Sequence, residues 1–556
     1  MSSRSFIRQQ INRAWIASCS REHTRFTVAI GRVAATQSHY LLDLLGRNAE
    51  TQFGRKHGFT TIRSVTEFQA RVPVTNYEAL TESIEEIARG EQGVLTEDRV
   101  KQFQPTSGSS SATKLIPWTA TLGREFRRGI SPWLVALYRR KPALLRGTAY
   151  WSISPPGTAV QTRGRLPVGF DHDAKYLGFI GKSLFPLVSA APPELARCSD
   201  MHEFKTKTLV SLLADENLSL ISIWSPTFLT TLFDDFLARR EEILDALDRS
   251  DRAGARQRTE FLRHMLQGRT GQTSFEGVWP NLQVISCWTH GPSELYAENL
   301  RRLFPNIEIQ GKGLVATEAF VSLPFHEGKD PVLAVTSHFL EFQDTTSEKL
   351  FLAHELTVGN TYRVIVTTGG GLYRYPLGDL VRVTGFIQEA PCLRFIGREG
   401  NVSDLFGEKL QGAFVEEVIC RVLAQQAIKS RFFLLAPVAG TMAKPAYTLF
   451  LDADAMSDAV ALQRNLEEGL AGNFHYAHCR RLGQLSESRV FQIIRNGLSS
   501  EAVFQQEMLS RGIKLGNIKM RALDYKSGLR LLAKFIASAI RRRREQQIAG
   551  KNGGAQ

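Results

Sequence analysis

The chain has 556 residues, 43% hydrophobic and 22% charged, with a net charge of +14. That length holds roughly three or four domain-sized units with ample buried core, and the composition is that of a soluble globular protein rather than a low-complexity one. No stretch approaches the ~18 uninterrupted apolar residues of a spanning helix, so integral membrane association is not expected.

The excess charge sits at the ends. Residues 1–42 carry +5 and residues 526–556 carry +7, which leaves the body near +2. A nucleic-acid binder should show a basic face on its folded domain, so nucleic acid is not an expected partner. Both ends read instead as solvated or loosely anchoring segments. Arg4, Arg8, Arg13 and Arg21 faintly resemble a transit peptide, but the apolar core of a secretory signal is missing. The six cysteines form no CxxC pair and no zinc-ligand spacing, a usage that suits a reducing, cytoplasmic location.

Along the chain, Phe26–His57 has apolar residues at three- and four-residue spacing and predicts one or two helices ending at Gly58. Asn76 is a plausible N-cap for the helix running to Arg89. A polar loop, Gln104–Lys114, follows. Tyr150–Ser154 and Leu218–Ile223 predict strands, Pro226–Arg239 a helix, and Asp234–Arg269 charged helical sequence. Val284–Cys287 and Ile307–Gln310 predict short strands around a helix at Ser293–Leu303. Tyr362–Thr367 is β-branched and strand-like, as is Leu380–Ile387. A break is expected near Gly397–Asn401, then a smaller unit with helices at Leu410–Leu423 and Leu462–Leu470 and a strand at Tyr447–Leu451. The alternation argues for an α/β body with mixed sheets.

Four segments carry candidate chemistry. Gln104–Trp118, QPTSGSSSATKLIPW, places hydroxyls, a glycine and exposed amides before Lys114, a set able to surround phosphate oxygens. It is not a Walker loop, and a serine-rich stretch alone is more often a linker. In Gly311–Phe320, GKGLVATEAF, Glu318 lies among small and apolar residues, where Mg²⁺ beside a nucleotide would be a natural partner. In Gly371–Phe386, GLYRYPLGDLVRVTGF, Gly378 reads as a turn presenting Asp379, whose carboxylate could accept from two ribose hydroxyls. In Gly512–Met520, GIKLGNIKM, Lys519 is late in the chain. Each alone is equally consistent with an ordinary turn or a solvated side chain.

Their order resembles that of the adenylate-forming superfamily, which includes acyl-CoA synthetases, peptide-synthetase adenylation domains and luciferases. GLYRYPLGDLVRVTGF, NAETQFGRKHGF, VPVTNYEALTESIEEIARGE, HFLEF and FPNIEIQGKGLVATEAF are similar to segments of one branch, the auxin-responsive promoter (Gretchen Hagen) family of acyl-acid amido synthetases. The chain looks like a bacterial-type member, with the likeness running from about residue 35 to 525.

The resemblance implies an α/β fold. A large N-terminal domain of mixed sheets and barrel-like strands packed with helices would cover 35–397, and a smaller mobile C-terminal α/β domain 410–525. A hinge would lie at 398–409, with basic segments at 1–34 and 526–556. It implies ATP as co-substrate with Mg²⁺, and a carboxylic acid joined to an amino acid or other amine. By the same resemblance Ser107, Gly108, Ser109, Ser110 and Lys114 hold the triphosphate, Thr317 sits by the nucleotide, and Glu318 holds Mg²⁺ as a catalytic residue. Asp379 binds the ribose, Arg398 marks the pivot, and Lys519 is the catalytic lysine delivered by the small domain. The chain departs from the pattern at Ser111 and Thr113, where the superfamily usually has Gly and often Pro, and at Leu314, where plant members have Tyr. Phe228, Trp288 and Phe320 are plausible walls of an acyl pocket, and His172 between Asp171 and Asp173 is assigned to structure or surface. An acyl-CoA ligase sharing the adenylate step, or a non-catalytic binding protein acting through its basic ends, are the alternatives.

Overall fold

The computed structural model describes residues 3–535, apart from 107–113, 153–160, 170–184, 193, 196–197, 199, 253, 268–273, 276, 400–401, 404, 407, 439–444, 455–457, 483, 495–498, 512, 514–517, 525–527, 529 and 532. The chain divides into two compact units. The first comprises 1–224, 241–288 and 303–396; the second comprises 225–240, 289–302 and 397–556. The architecture is α/β, with one large and one smaller unit, as expected.

The first unit opens with a helix, Ser3–Ala29, which corrects the reading of 1–34 as a solvated basic segment. Asn12, Trp15, Cys19, His23, Phe26 and Ile30 recur every three or four residues and are buried. The Asn12 amide donates to the carbonyls of Leu145 and Gly147 at 2.9 and 3.2 Å. Arg13, Arg21 and Arg25 occupy the exposed face, so a count of charge conceals an apolar stripe. The Tyr77–Arg89 helix starts at Asn76, whose side chain accepts from the Ala79 amide, and stops at Gly90 in the left-handed region.

Two large sheets dominate this unit. One is parallel, in the order Thr148–Trp151, Leu218–Ser222, Val284–Cys287, Glu308–Gly311. The first three of these strands are buried throughout, which is why they read as unbroken apolar runs. The other has seven strands, ordered Leu350–Leu352, Phe339–Asp344, Thr361–Thr367, Tyr375–Ile387, Ala390–Arg398, Val332–Leu333, Ser322–Leu323. The long helix Ala120–Arg140, capped by Thr119, shares a core with both sheets through Leu122, Phe126, Leu134, Phe320, Val366 and Leu220.

In the second unit Ser430–Val438, Ala446–Ala453 and Arg489–Gln492 form a three-stranded sheet. Val415, Ile419 and Val422 of helix Gly412–Gln425 and Leu462, Leu466 and Leu470 of helix Ala459–Ala471 pack with its Leu449 and Leu451. The expected boundary at 525 is also corrected. Leu531 is fully buried, and the Phe535 ring lies 6.2 and 5.8 Å from those of Phe432 and Phe450. Apolar residues inside the basic stretch therefore belong to this unit's core. Among the described residues no helix is long and apolar enough to cross a membrane.

Candidate active site

The polar loop springs from a hairpin. Gln102–Pro105 pairs antiparallel with Leu115–Trp118, and the Thr106 amide donates to the Lys114 carbonyl at 2.9 Å, closing the neck. Ser107, Gly108, Ser109, Ser110, Ser111 and Thr113 lie outside the described residues, as do Asp171, His172 and Asp173. Lys114 stands at the neck. Its ammonium lies 3.5 Å from the Tyr375 hydroxyl, 5.5 Å from the Tyr77 ring centre and 6.0 Å from that of Tyr375. The Tyr77 hydroxyl in turn accepts the Leu115 amide at 2.7 Å, so two aromatic side chains set the direction of Lys114.

Tyr375 opens the strand that carries Asp379. Here the structure revises the expected turn. Gly378 and Asp379 form a bulge within one strand, because Arg363 faces Leu380 while Ile365 faces Pro376. Leu377, Gly378 and Asp379 thus oppose Val364 alone. Gly378 takes φ +76°, a conformation glycine adopts freely. The buried Asp379 is re-aimed by that bulge.

Glu318 sits in a tight turn. Val315 bridges Phe320, and the Ala316 amide donates to the Ala319 carbonyl at 2.9 Å. Thr317 is half-buried and Glu318 is buried. Gly313 enters this segment at φ +83°, where a Cβ would meet the Ser322 carbonyl oxygen at 2.4 Å. Leu314 is buried, its amide donating to Ser322 Oγ at 2.9 Å. Among the described residues no group of three or more His, Cys, Asp or Glu could hold a metal. One hard carboxylate completed by triphosphate oxygens and water is the usual setting of Mg²⁺ on a nucleotide, and Glu318 fits it.

Arg398 ends the Ala390–Arg398 strand, and Lys519 is exposed between buried Ile518 and Met520; both belong to the second unit. The alternation along Ile518–Met520 turns Lys519 outward. Phe320 is buried. Its ring packs edge-on against Phe126 at 6.1 Å, and a Cβ on Gly129 would approach it to 2.3 Å, which marks a filled core. Trp288 is half-buried with its ring 6.1 Å from that of Trp224, and Phe228 is a buried residue of the second unit.

Two buried polar clusters beneath the site escape sequence reasoning. Arg374 reaches Glu341 through Nε–Oε2 and Nη2–Oε1 contacts of 3.0 and 2.9 Å, and donates to the carbonyls of Gln69 and Val72. It holds φ +50°, uncommon for a non-glycine residue. Glu341 lies in HFLEF and Arg374 in GLYRYPLGD, so the motifs contained the signal although neither residue stood out. The second cluster is Glu125 with His338, Tyr40 and the Gly369 amide. Tyr40 Oη donates to Glu125 at 2.6 Å, His338 Nδ1 lies 3.1 Å from its other oxygen, and the Gly369 amide donates to both at 3.1 and 3.0 Å. Burial and the Glu125 charge push the Tyr40 hydroxyl well above its ordinary pKa, so it remains a donor.

A model of the GH3 family N-terminal domain matches residues 22–309, and one of the GH3 family central domain matches 331–398. Among similar proteins, the probable indole-3-acetic acid-amido synthetase GH3.1 of Arabidopsis thaliana is 23% identical over 93% of each chain. The indole-3-acetic acid-amido synthetase GH3.4 of the same plant is 22% identical over 91% of this chain and 92% of its own. A solved structure, AtGH3.15 acyl acid amido synthetase in complex with 2,4-DB, superposes with a TM-score of 0.79 at 17% identity, covering 94% of this chain and 96% of that one. This likeness shows that the fold is shared.

Proposed function

Because this chain belongs to the GH3 family, we propose that it is an AMP-forming acid–amino acid ligase. It activates a carboxylic acid with ATP and passes the acyl group to an amino acid or other amine. In the first step a carboxylate oxygen attacks the α-phosphorus, and pyrophosphate leaves. In the second, the amine nitrogen attacks the acyl carbon, AMP leaves, the nitrogen loses a proton, and an amide forms.

One observation carries the reading. The neck of the polar loop and the strand bearing Asp379 meet where Lys114 approaches Tyr375, in a chain whose relatives are named amido synthetases. In this reading Ser107, Gly108, Ser109 and Ser110 cradle the triphosphate and Lys114 offsets its charge. Thr317 sits by the nucleotide, and Asp379 accepts the ribose hydroxyls. The first step brings two anions together, so aimed donors and cations account for much of the acceleration. Glu318 would hold Mg²⁺, which when bound offsets phosphate charge. Lys519 serves the adenylation step from the smaller domain, and that domain then rotates to admit the amine.

The proposed pivot at 398–409 narrows on physical grounds. Glu408 is fully buried, accepts the Leu405 and Phe406 amides at 2.8 Å each, and accepts from Tyr447 Oη, which also lies 2.6 Å from the Ser403 hydroxyl. That clamp ties Ser403, Leu405, Phe406 and Glu408 to Tyr447 of the second unit, so rotation belongs nearer Arg398. A cytoplasmic location is part of the same proposal.

Purified protein given ATP, Mg²⁺ and panels of acids and amines should release AMP only with a suitable acid and yield a product of acid-plus-amine mass less water. No acid-dependent AMP would sink the reading, and a CoA thioester in place of an amide would redirect it to acyl-CoA ligation.

A further inference from the structure

Glu125 and His338 are both fully buried in the first unit and far apart in sequence. The hydrogen-bond pattern fixes the state of the imidazole. His338 Nε2 lies 3.0 Å from the Phe320 amide, an N–H that can only donate. Nε2 therefore accepts, the proton resides on Nδ1, and Nδ1–H donates to Glu125 Oε2. An imidazolium would offer a donor at Nε2 and could not hold that amide.

The Phe320 amide belongs to the end of the Thr317–Glu318 turn, bridged through Val315. The main-chain donor on Glu125 itself is the Gly369 amide, in the Thr367–Gly371 stretch that leads into the Asp379 strand. That contact needs glycine, because a Cβ on Gly369 would come within 2.4 Å of Glu125 Oε1 and 2.3 Å of Thr121 Cγ2. The Thr119 hydroxyl accompanies it, donating to the Gly369 carbonyl at 2.9 Å. One carboxylate on the Ala120–Arg140 helix thus grips the Asp379 approach directly and the Glu318 turn through an imidazole.

We propose that Glu125 and His338 are a pair of positioning residues that set the Glu318 turn and the Gly369 loop at a fixed separation, so that the metal-binding and ribose-binding carboxylates engage one nucleotide together. Neither touches substrate. The functional consequence rests on the adenylation reading, whereas the mechanical coupling does not. Groups that orient a metal ligand from behind commonly matter about 10–100-fold in affinity or activity.

The experiment compares wild type with His338→Phe, which keeps a ring but removes acceptor and donor, and His338→Gln, whose amide oxygen can still accept the Phe320 N–H. Amide exchange by mass spectrometry is read over 314–322 and 367–373, and affinity for a non-hydrolysable ATP analogue with Mg²⁺ is read without acid. His338→Phe should speed exchange over 314–322 and weaken analogue binding about 10–100-fold, and His338→Gln should recover part of both. Unchanged exchange and affinity in a folded His338→Phe protein would overturn the proposal. Should that variant fail to fold, Glu125→Asp carries the same readouts, since it keeps the charge but its shorter side chain withdraws the carboxylate from Nδ1–H and the Gly369 amide. Wild type that binds no analogue would refute the adenylation reading, and the exchange arm would still decide the coupling.

Discussion

At the residue scale, the strongest structural commitment is the buried Arg374–Glu341 pair. Removing one partner leaves an uncompensated buried charge, so Glu341→Ala should cost about 3–5 kcal/mol in urea unfolding. Lys114→Ala should behave differently, with little loss of stability and a raised KM for ATP in pyrophosphate exchange. Glu416 offers a pH test. Burial and nearby Glu294 raise its carboxyl to about 8. A carboxyl raised on folding keeps its proton in the folded chain while the unfolded chain releases it above the usual carboxylate range. Its destabilising effect is therefore absent at low pH, grows as pH climbs, and levels off above about 8. Glu416→Gln should stabilise by roughly 1–2 kcal/mol at pH 8, less than the full shift because the group is half-buried, with the gain shrinking toward pH 5. Lys114, Glu318 and Asp379 stand out in sequence as candidates because glycines and motif context surround them. Glu125 does not, since a lone acid in GREFRRG reads like any solvated charge until folding supplies three donors, although its partner His338 opens HFLEF.

Among elements, short apolar strands transfer well from sequence to structure. Val284–Cys287 has the predicted bounds and Thr361–Thr367 begins one residue earlier. The Asp379 strand starts at Tyr375 rather than Leu380, because Pro376 and Gly378 look like a turn until a bulge lets the ladder continue through them. Gly371, ahead of that strand, has φ +90° and a Cβ site 2.7 Å from Leu95 Cβ. Gly371→Ala should lower stability by about 1–3 kcal/mol, seen as a fall in Tm. The first helix illustrates the opposite failure. Its charge invited a solvated reading, while the burial of Trp15 and Phe26 depends on partners more than 100 residues away, among them Tyr138 at 6.1 Å from Trp15.

For the whole molecule, linear boundaries could not show that 225–240 and 289–302 join the second unit, because unit membership is set by non-local packing. The buried Leu531 and Phe535 change where a tail can be cut. A chain ending at 536 should retain acid-dependent AMP formation, whereas one ending at 525 should lose cooperative unfolding of the second unit, monitored by calorimetry. The Glu125 cluster has a further consequence during synthesis. Gly369 follows Glu125 by 244 residues, and translation at ~5–20 residues per second takes roughly 10–50 s to supply it. Over that interval the nascent helix carries a carboxylate lacking its backbone donor and an apolar face without its covering sheet. Completion of this core therefore waits on the ribosome, and the growing chain is a natural client for chaperones until residue 369 has emerged.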